Sequence, residues 1–224
     1  MTTPEVPTVL LFDLDNTLLD ADAARAAIDG GIRGSLGDTT AERFWASYEE
    51  VREALGYVDV REAMLRLGRE RGDASLLAPL AGAVYSVDYA RLLYPGALDA
   101  LAHARSLGLP VLVTDGDPGF QRHKARAAGV ETAVEGRVLV YAHKEREIDD
   151  IRARFPAERY VVVDDKPSIL AAMKAALGPL ITTVHVEQGR YAREAGAVEP
   201  PPDLRLPSIG AFAGLTAQVL RVAS

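Results

Sequence analysis

TVLLFDLDNTLL, residues 8–19, decides how the rest of the chain is read. Its apolar part, Val9 to Phe12, shows no polar alternation, so it is expected as a strand buried on both faces of a parallel sheet. The run ends in two carboxylates, Asp13 and Asp15, with Thr17 two positions on. In open α/β sheets, ligands bind beyond the carboxyl ends of the strands, near the point where strand order reverses. A carboxylate there can act as a nucleophile. A second one, two residues later, can deliver a proton and then activate water. A close pair of acids also suits Mg²⁺, a hard cation that takes oxygen ligands. The same residues could instead shape a turn and cap the next helix.

Composition narrows the function classes. A chain of 224 residues can bury a full core, as one α/β domain with an insert or as two small domains. The formal net charge of -7 argues against general nucleic-acid binding, though a local cation can still hold an anionic substrate in a cleft. With no cysteine, disulfides, zinc–thiolate sites and thiol catalysis are excluded. The N-terminal MTTPEVP has no basic region followed by an apolar run, so no signal peptide is expected. No apolar stretch is long enough to span a bilayer. The expectation is a soluble, cytoplasmic protein without a membrane or nucleic-acid partner.

Beyond Leu19 the pattern turns helical. Asp20 to Ile28 is Ala-rich, and Gly30, Gly31, Gly34 and Gly37 read as a flexible break. Thr40 can cap a helix from Ala41 to about Leu55. Further helices are expected over Asp59 to Arg71, ended by Gly72, and over about Ala74 to Ser86. No strand is expected between Leu19 and Leu109. A parallel crossover needs only one helix, so this all-helical block reads as an insert. Residues 20–91 are assigned to it, and residues 1–19 with 92–224 to the α/β core.

After a helix over Gly96 to Leu107, Leu109 to Val113 is the second strand, finishing in Thr114-Asp115-Gly116-Asp117. Asp117 caps a helix opened by Pro118 and ended by Gly129. A hydroxyl at a strand end, before a tight turn of outward N–H groups, can hold a phosphate, or it can be an ordinary turn residue. Lys144 follows the apolar Val138 to Tyr141 and opens an expected helix to Phe155. Tyr160 to Val163 is another β-branched run ending in two acids, Asp164 and Asp165, before Pro167 opens a helix to Leu177. Adjacent strand residues face opposite ways, so one of the two acids must lie in the turn. Ile181 to Val186 is a further strand, Gln188 to Tyr191 a loop, and Ser208 to Val222 an amphipathic terminal helix.

Asp13-Leu14-Asp15-Asn16-Thr17 resembles the first motif, DxDxT, of the haloacid dehalogenase superfamily. Thr114 matches its second motif, Lys144 its third and Asp164-Asp165 the acid–acid form of its fourth, in the superfamily's order along the chain. The helical block is similar to the cap inserted after the first motif. The resemblance implies a Rossmann-like, doubly wound parallel sheet with a helical cap. It implies Asp13 as nucleophile, Asp15 as general acid and base, and Thr114, Asp115 and Lys144 as phosphate holders. For Mg²⁺ it implies Asp13, the Asp15 carbonyl and Asp165, with Asp164 supporting. A further acid found in some members is replaced here by Ser168, Ile169 and Leu170. The implied activity is a Mg²⁺-dependent phosphatase acting on a small phosphorylated metabolite. A phosphomutase or phosphotransferase, or a silent binding protein, are the alternatives. Asp15 weighs against a dehalogenase, since that branch typically lacks the second aspartate.

Overall fold

The computed structural model describes residues 8–194 and 198–222, so the N-terminal residues 1–7 read above for a signal lie outside the described residues. Strand β1 (Val9–Phe12) is followed by helices α1 (Ala21–Leu36), α2 (Asp38–Leu55), α3 (Val60–Arg71) and α4 (Leu77–Tyr85). Then come α5 (Ala97–Leu107), β2 (Leu109–Asp115), α6 (Pro118–Ala127), the short α7 (Val130–Ala133) and β3 (Val138–Tyr141). The chain closes with α8 (Ile148–Arg154), β4 (Tyr160–Asp164), α9 (Pro167–Leu177), β5 (Ile181–Val186), α10 (Gly189–Glu194), β6 (Leu204–Leu206) and α11 (Ala217–Val222). No described helix is long and apolar enough to cross a membrane.

The six strands among the described residues are parallel, in the order β3-β2-β1-β4-β5-β6. The chain winds outward from β1 to one side and resumes at β4 on the other, so the order reverses between these two central strands. Alternation along the strands splits the core in two. Leu10, Phe12, Leu112, Val161 and Val163 face the helical block, α5 and the C-terminal segment around Phe212. Leu11, Val111, Val113 and Val162 face Ile148 and Ile151 of α8 and Leu170 and Met173 of α9. Both faces are covered, which is why these strands read as continuous apolar runs.

Between β1 and α1 the chain curls through a tight turn. Asn16 takes a left-handed conformation (φ 62°), and its side-chain oxygen accepts the Ala21 N–H at 3.1 Å. Asp20 caps α1 through the Ala23 N–H at 2.8 Å. The two crossings between sheet and helical block lie side by side: the Asp20 N–H donates to Leu92 O at 2.8 Å and the Tyr94 N–H to Leu18 O at 2.9 Å.

Several sequence expectations are corrected. The glycines after Ile28 do not break the helix; α1 runs to Leu36 and stops at Gly37. Gly31 lies where α1 passes α4, and a Cβ there would meet Ala83 Cβ at 3.2 Å, so its smallness serves packing. Helix α2 starts at Asp38, with no side-chain cap from Thr40. Lys144–Arg146 is a single 3₁₀ turn, and α8 starts only at Ile148. Gln188 to Tyr191 is not a loop throughout, since Gly189 opens α10. The expected terminal helix splits into a 3₁₀ stretch, Ile209–Gly214, and α11. Strand β6 is too short for a periodic signal; β5 recruits it through three residue pairs from Val184↔Leu204 to Val186↔Leu206.

Candidate active site

The carboxyl ends of β1, β2 and β4 bring together Asp13, Thr114, Asp164 and Asp165, and the turn after β3 adds Lys144. Every one of these five is buried, at 7% exposure or less. Carboxylate oxygens of Asp13, Asp164 and Asp165 all lie within 4.8 Å of one another. Lys144 Nζ donates to Asp13 Oδ1 and lies 2.7 Å from Asp164 Oδ2, an ion pair without good hydrogen-bond direction. Asp164 Oδ1 accepts the Lys166 backbone N–H at 2.8 Å. Asp165, just past the strand, holds both carboxylate oxygens buried and, among the described residues, without a hydrogen-bond partner. Its carbonyl accepts from His185 Nε2 at 3.2 Å, in the tautomer that protonates that nitrogen.

The electrostatics follow from crowding. Burial pushes the Asp165 carboxyl up to about 9, with the charges of Asp164 and Asp13 adding to it. Burial raises Asp13 to about 7, against the pull of Lys144. Desolvation disfavours the Lys144 ammonium, but Asp13, Asp164 and Asp115 outweigh it and raise its pKa. Buried carboxylates so close cannot all stay ionised beside one directly paired ammonium unless another cation joins them. Three acidic oxygen donors, one of them orphaned, fit a hard divalent cation such as Mg²⁺. Asp13, Asp165 and Asp164 are the residues that could hold it.

Asp15 faces a different partner. Lys124 Nζ reaches both its oxygens at 2.6 Å, and Gln121 Nε2 donates to it at 2.9 Å. Burial acts to raise its carboxyl, but Lys124 and Gln121 overcome that and hold it below the usual range. Asp115, expected to hold phosphate, uses Oδ1 to accept the Lys144 backbone N–H at 2.7 Å. Its side chain thereby positions Lys144. The lysines near the strand ends divide: Lys144 lies on Asp13, Lys124 on Asp15, and Lys166 near the ring of Tyr191.

The grip of Gln121 and Lys124 on Asp15 was not read from the sequence. Their i, i+3 spacing on a helix capped directly after the Thr114 strand was the available signal. Gln188 was missed as well: its Nε2 donates to Thr17 O at 2.7 Å and its Oε1 accepts the Ile209 N–H at 2.9 Å, tying the first motif to the C-terminal segment. Thr17 itself is fully buried, and its hydroxyl has no hydrogen-bond partner among the described residues.

A cavity of about 400 Å³ opens between the strand ends and the helical block. Asp15, Gln121, Lys124 and Lys166 line it from the sheet side, and Arg25, Trp45, Tyr48 and Arg52 from the helices. That volume lies within the range of small-molecule sites.

A doubly wound parallel sheet with acids and a lysine at its switch point is the class that fold and site define. The sequence profile of haloacid dehalogenase-like hydrolases matches residues 7–176. The chain belongs to that family and is a hydrolase. A haloacid dehalogenase-like hydrolase from Burkholderia xenovorans LB400 is 39% identical, with 95% of this chain and all of that one covered and a TM-score of 0.87. Two more distant structures share the fold. The HAD hydrolase YfnB of Bacillus subtilis, bound to magnesium, has 15% identity, 94% and 98% coverage of the two chains and a TM-score of 0.62. L-2-haloacid dehalogenase of Xanthobacter autotrophicus has 19% identity, 93% and 97% coverage and a TM-score of 0.59. No curated protein sequence matches the chain.

Proposed function

We propose that the protein is a Mg²⁺-dependent phosphatase that hydrolyses a small phosphate monoester through an aspartyl-phosphate, in a cytoplasmic setting. The observation that carries this reading is the orphaned, buried Asp165 beside Asp13 and Asp164. Such a charge cluster is costly without a cation, and a halide displacement has no use for one. Magnesium bound in the Mg²⁺-containing relative YfnB agrees with it. When bound, the ion would offset the carboxylates and polarise a phosphoryl oxygen.

The chain's own residues supply the steps. Asp13 attacks phosphorus, the ester P–O bond breaks, and the leaving oxygen takes a proton from Asp15. Water then attacks the aspartyl-phosphate, gives its proton to Asp15, and inorganic phosphate departs as Asp13 is restored. Lys144 orients Asp13, and Thr114 offers its hydroxyl at the neighbouring strand end. Asp15 as gripped by Lys124 is in the ionised state the second step needs. Delivering a proton in the first step requires that pair to loosen. In this reading residues 20–91 form a cap whose closure excludes water from the site.

That same ion pair favours a second reading, a dehalogenase, because a halide leaves without protonation. One experiment separates the two. Phosphate release from phenyl phosphate and chloride release from 2-chloropropionate are measured with and without Mg²⁺, and Asp13→Asn serves as the blank. We expect Mg²⁺-dependent phosphate release, lost at least a thousandfold in Asp13→Asn, on the order of the loss of an essential nucleophile. Chloride release without phosphate release would overturn the phosphatase reading in favour of the dehalogenase.

A further inference from the structure

One wall of the cavity is built differently from the rest. On α1, Arg25 lays its guanidinium 3.8 Å from the centre of the Trp45 ring and 5.4 Å from that of Tyr48. The indole is itself fixed: its Nε1–H donates to Asp29 Oδ1 at 2.8 Å, and Arg33 Nε binds the other oxygen of Asp29 at 2.7 Å. Trp45 and Tyr48 pack edge to face at 5.2 Å. A guanidinium stacked on a fixed ring keeps its plane and loses little freedom when its N–H fork engages an anion.

That fork is unused. Among the described residues Arg25 makes no hydrogen bond. Its ion pair, with Glu49, is 3.6 Å long, and Glu49 lies closer to Arg52, at 2.5 Å. Two guanidiniums therefore share Glu49 on this wall, and Asp29, which also feels the Arg25 charge, spends its hydrogen bonds on Arg33 and Trp45. The Tyr48 hydroxyl likewise has no hydrogen-bond partner among the described residues. Tyr48 lines the same cavity as Asp15, and burial raises its pKa, so the hydroxyl stays a neutral donor.

Resting on the phosphatase reading, we infer that the substrate's leaving group carries a second anionic group, a carboxylate or a phosphate, bound by the Arg25 fork with help from the Tyr48 hydroxyl. The acid cluster and Lys144 take the transferring phosphoryl group, and the stacked arginine reads the opposite end of the molecule. Arg25 is then a specificity-determining residue outside the chemistry.

The test uses non-hydrolysable probes, so it does not depend on turnover. Calorimetry in Mg²⁺ buffer compares phenylphosphonate with 4-carboxyphenylphosphonate and 1,4-phenylenebis(phosphonate). We expect the wild type to bind one of the doubly anionic probes at least tenfold more tightly than phenylphosphonate, and the better probe tells carboxylate from phosphate. In Arg25→Met, whose side chain still covers the indole, the ratio falls below threefold. Tyr48→Phe, which removes one oxygen and leaves the stack intact, lowers it part of the way. No tenfold preference in the wild type, or a preference that survives in Arg25→Met, overturns the inference. If phenyl phosphate is still hydrolysed in that case, the phosphatase reading stands without it. If no phosphonate binds and no phosphate is released, both fall together.

Discussion

At the scale of single residues, the site is an exercise in charge crowding. Lys144 satisfies Asp13 and touches Asp164, whereas Asp165 is buried with nothing to bind. A buried carboxylate held against like charges opposes folding until a cation arrives. Asp165→Asn is therefore expected to raise the Tm of metal-free protein. It is also expected to abolish the rise in Tm on adding Mg²⁺, which at a hundredfold excess over Kd is worth ~2.7 kcal/mol in the wild type. Differential scanning fluorimetry with EDTA and then Mg²⁺ measures both. An undiminished Mg²⁺ response in Asp165→Asn would assign the cation to other ligands. The sequence exposed Asp13 and Asp165 because strand-end acids are hard to explain otherwise. It did not pair Lys124 with Asp15, since the i, i+3 spacing of Gln121 and Lys124 names no partner until the helix is docked.

At the scale of elements, close backbone approaches set positions that periodicity does not reveal. Gly108 joins α5 to β2, and a Cβ there would lie 2.1 Å from the Thr8 carbonyl oxygen, which accepts the Leu109 N–H at 2.8 Å. Neither group can move without unpairing β2 from β1, the strands that present Thr114 and Asp13. Gly108→Ala is expected to destabilise by ~1–3 kcal/mol, the usual cost of overpacking. Urea denaturation gives the value, and a change below a few tenths of a kcal/mol would mean that the loop relaxes freely. Gly31 teaches the same lesson in reverse. A run of glycines reads as a break, but contact with Ala83 on α4 turns one of them into a packing residue in an unbroken helix. Local propensity gave way to tertiary contact.

At the scale of the whole molecule, the helical block and the sheet share one apolar cluster that runs from Leu10 and Phe12 to Phe44 and Leu67. Their seam is aromatic: Tyr85 packs edge to face on Phe120 at 5.8 Å and on His123 at 5.0 Å, and Tyr89 on Phe120 at 6.4 Å. His123 Nε2 also lies 3.0 Å from the Tyr85 carbonyl oxygen. Helix α6 thus carries both the seam and the Gln121–Lys124 grip on Asp15. Phe120→Ala is expected to cost ~3–5 kcal/mol, as for a buried phenyl ring. The denaturation curve should keep a single transition, because the cluster is continuous. Two resolved transitions would show the block and sheet unfolding apart.

The sequence by itself determined the parallel sheet, the helical block between its first two strands and the identity of the acids at the strand ends. Those follow from apolar runs, helical spacing and carboxylates in places where burial makes them expensive. Only the tertiary structure decided which lysine serves which aspartate, set the Asp115 side chain against the Lys144 backbone, and stacked Arg25 on Trp45 at the cavity wall. Such pairings join residues more than a hundred positions apart, as Lys144 and Asp13 or Lys124 and Asp15 do, or bring together two helices, as Arg25 and Trp45 do. Their partners are chosen by the docking of elements, and no local pattern records that choice.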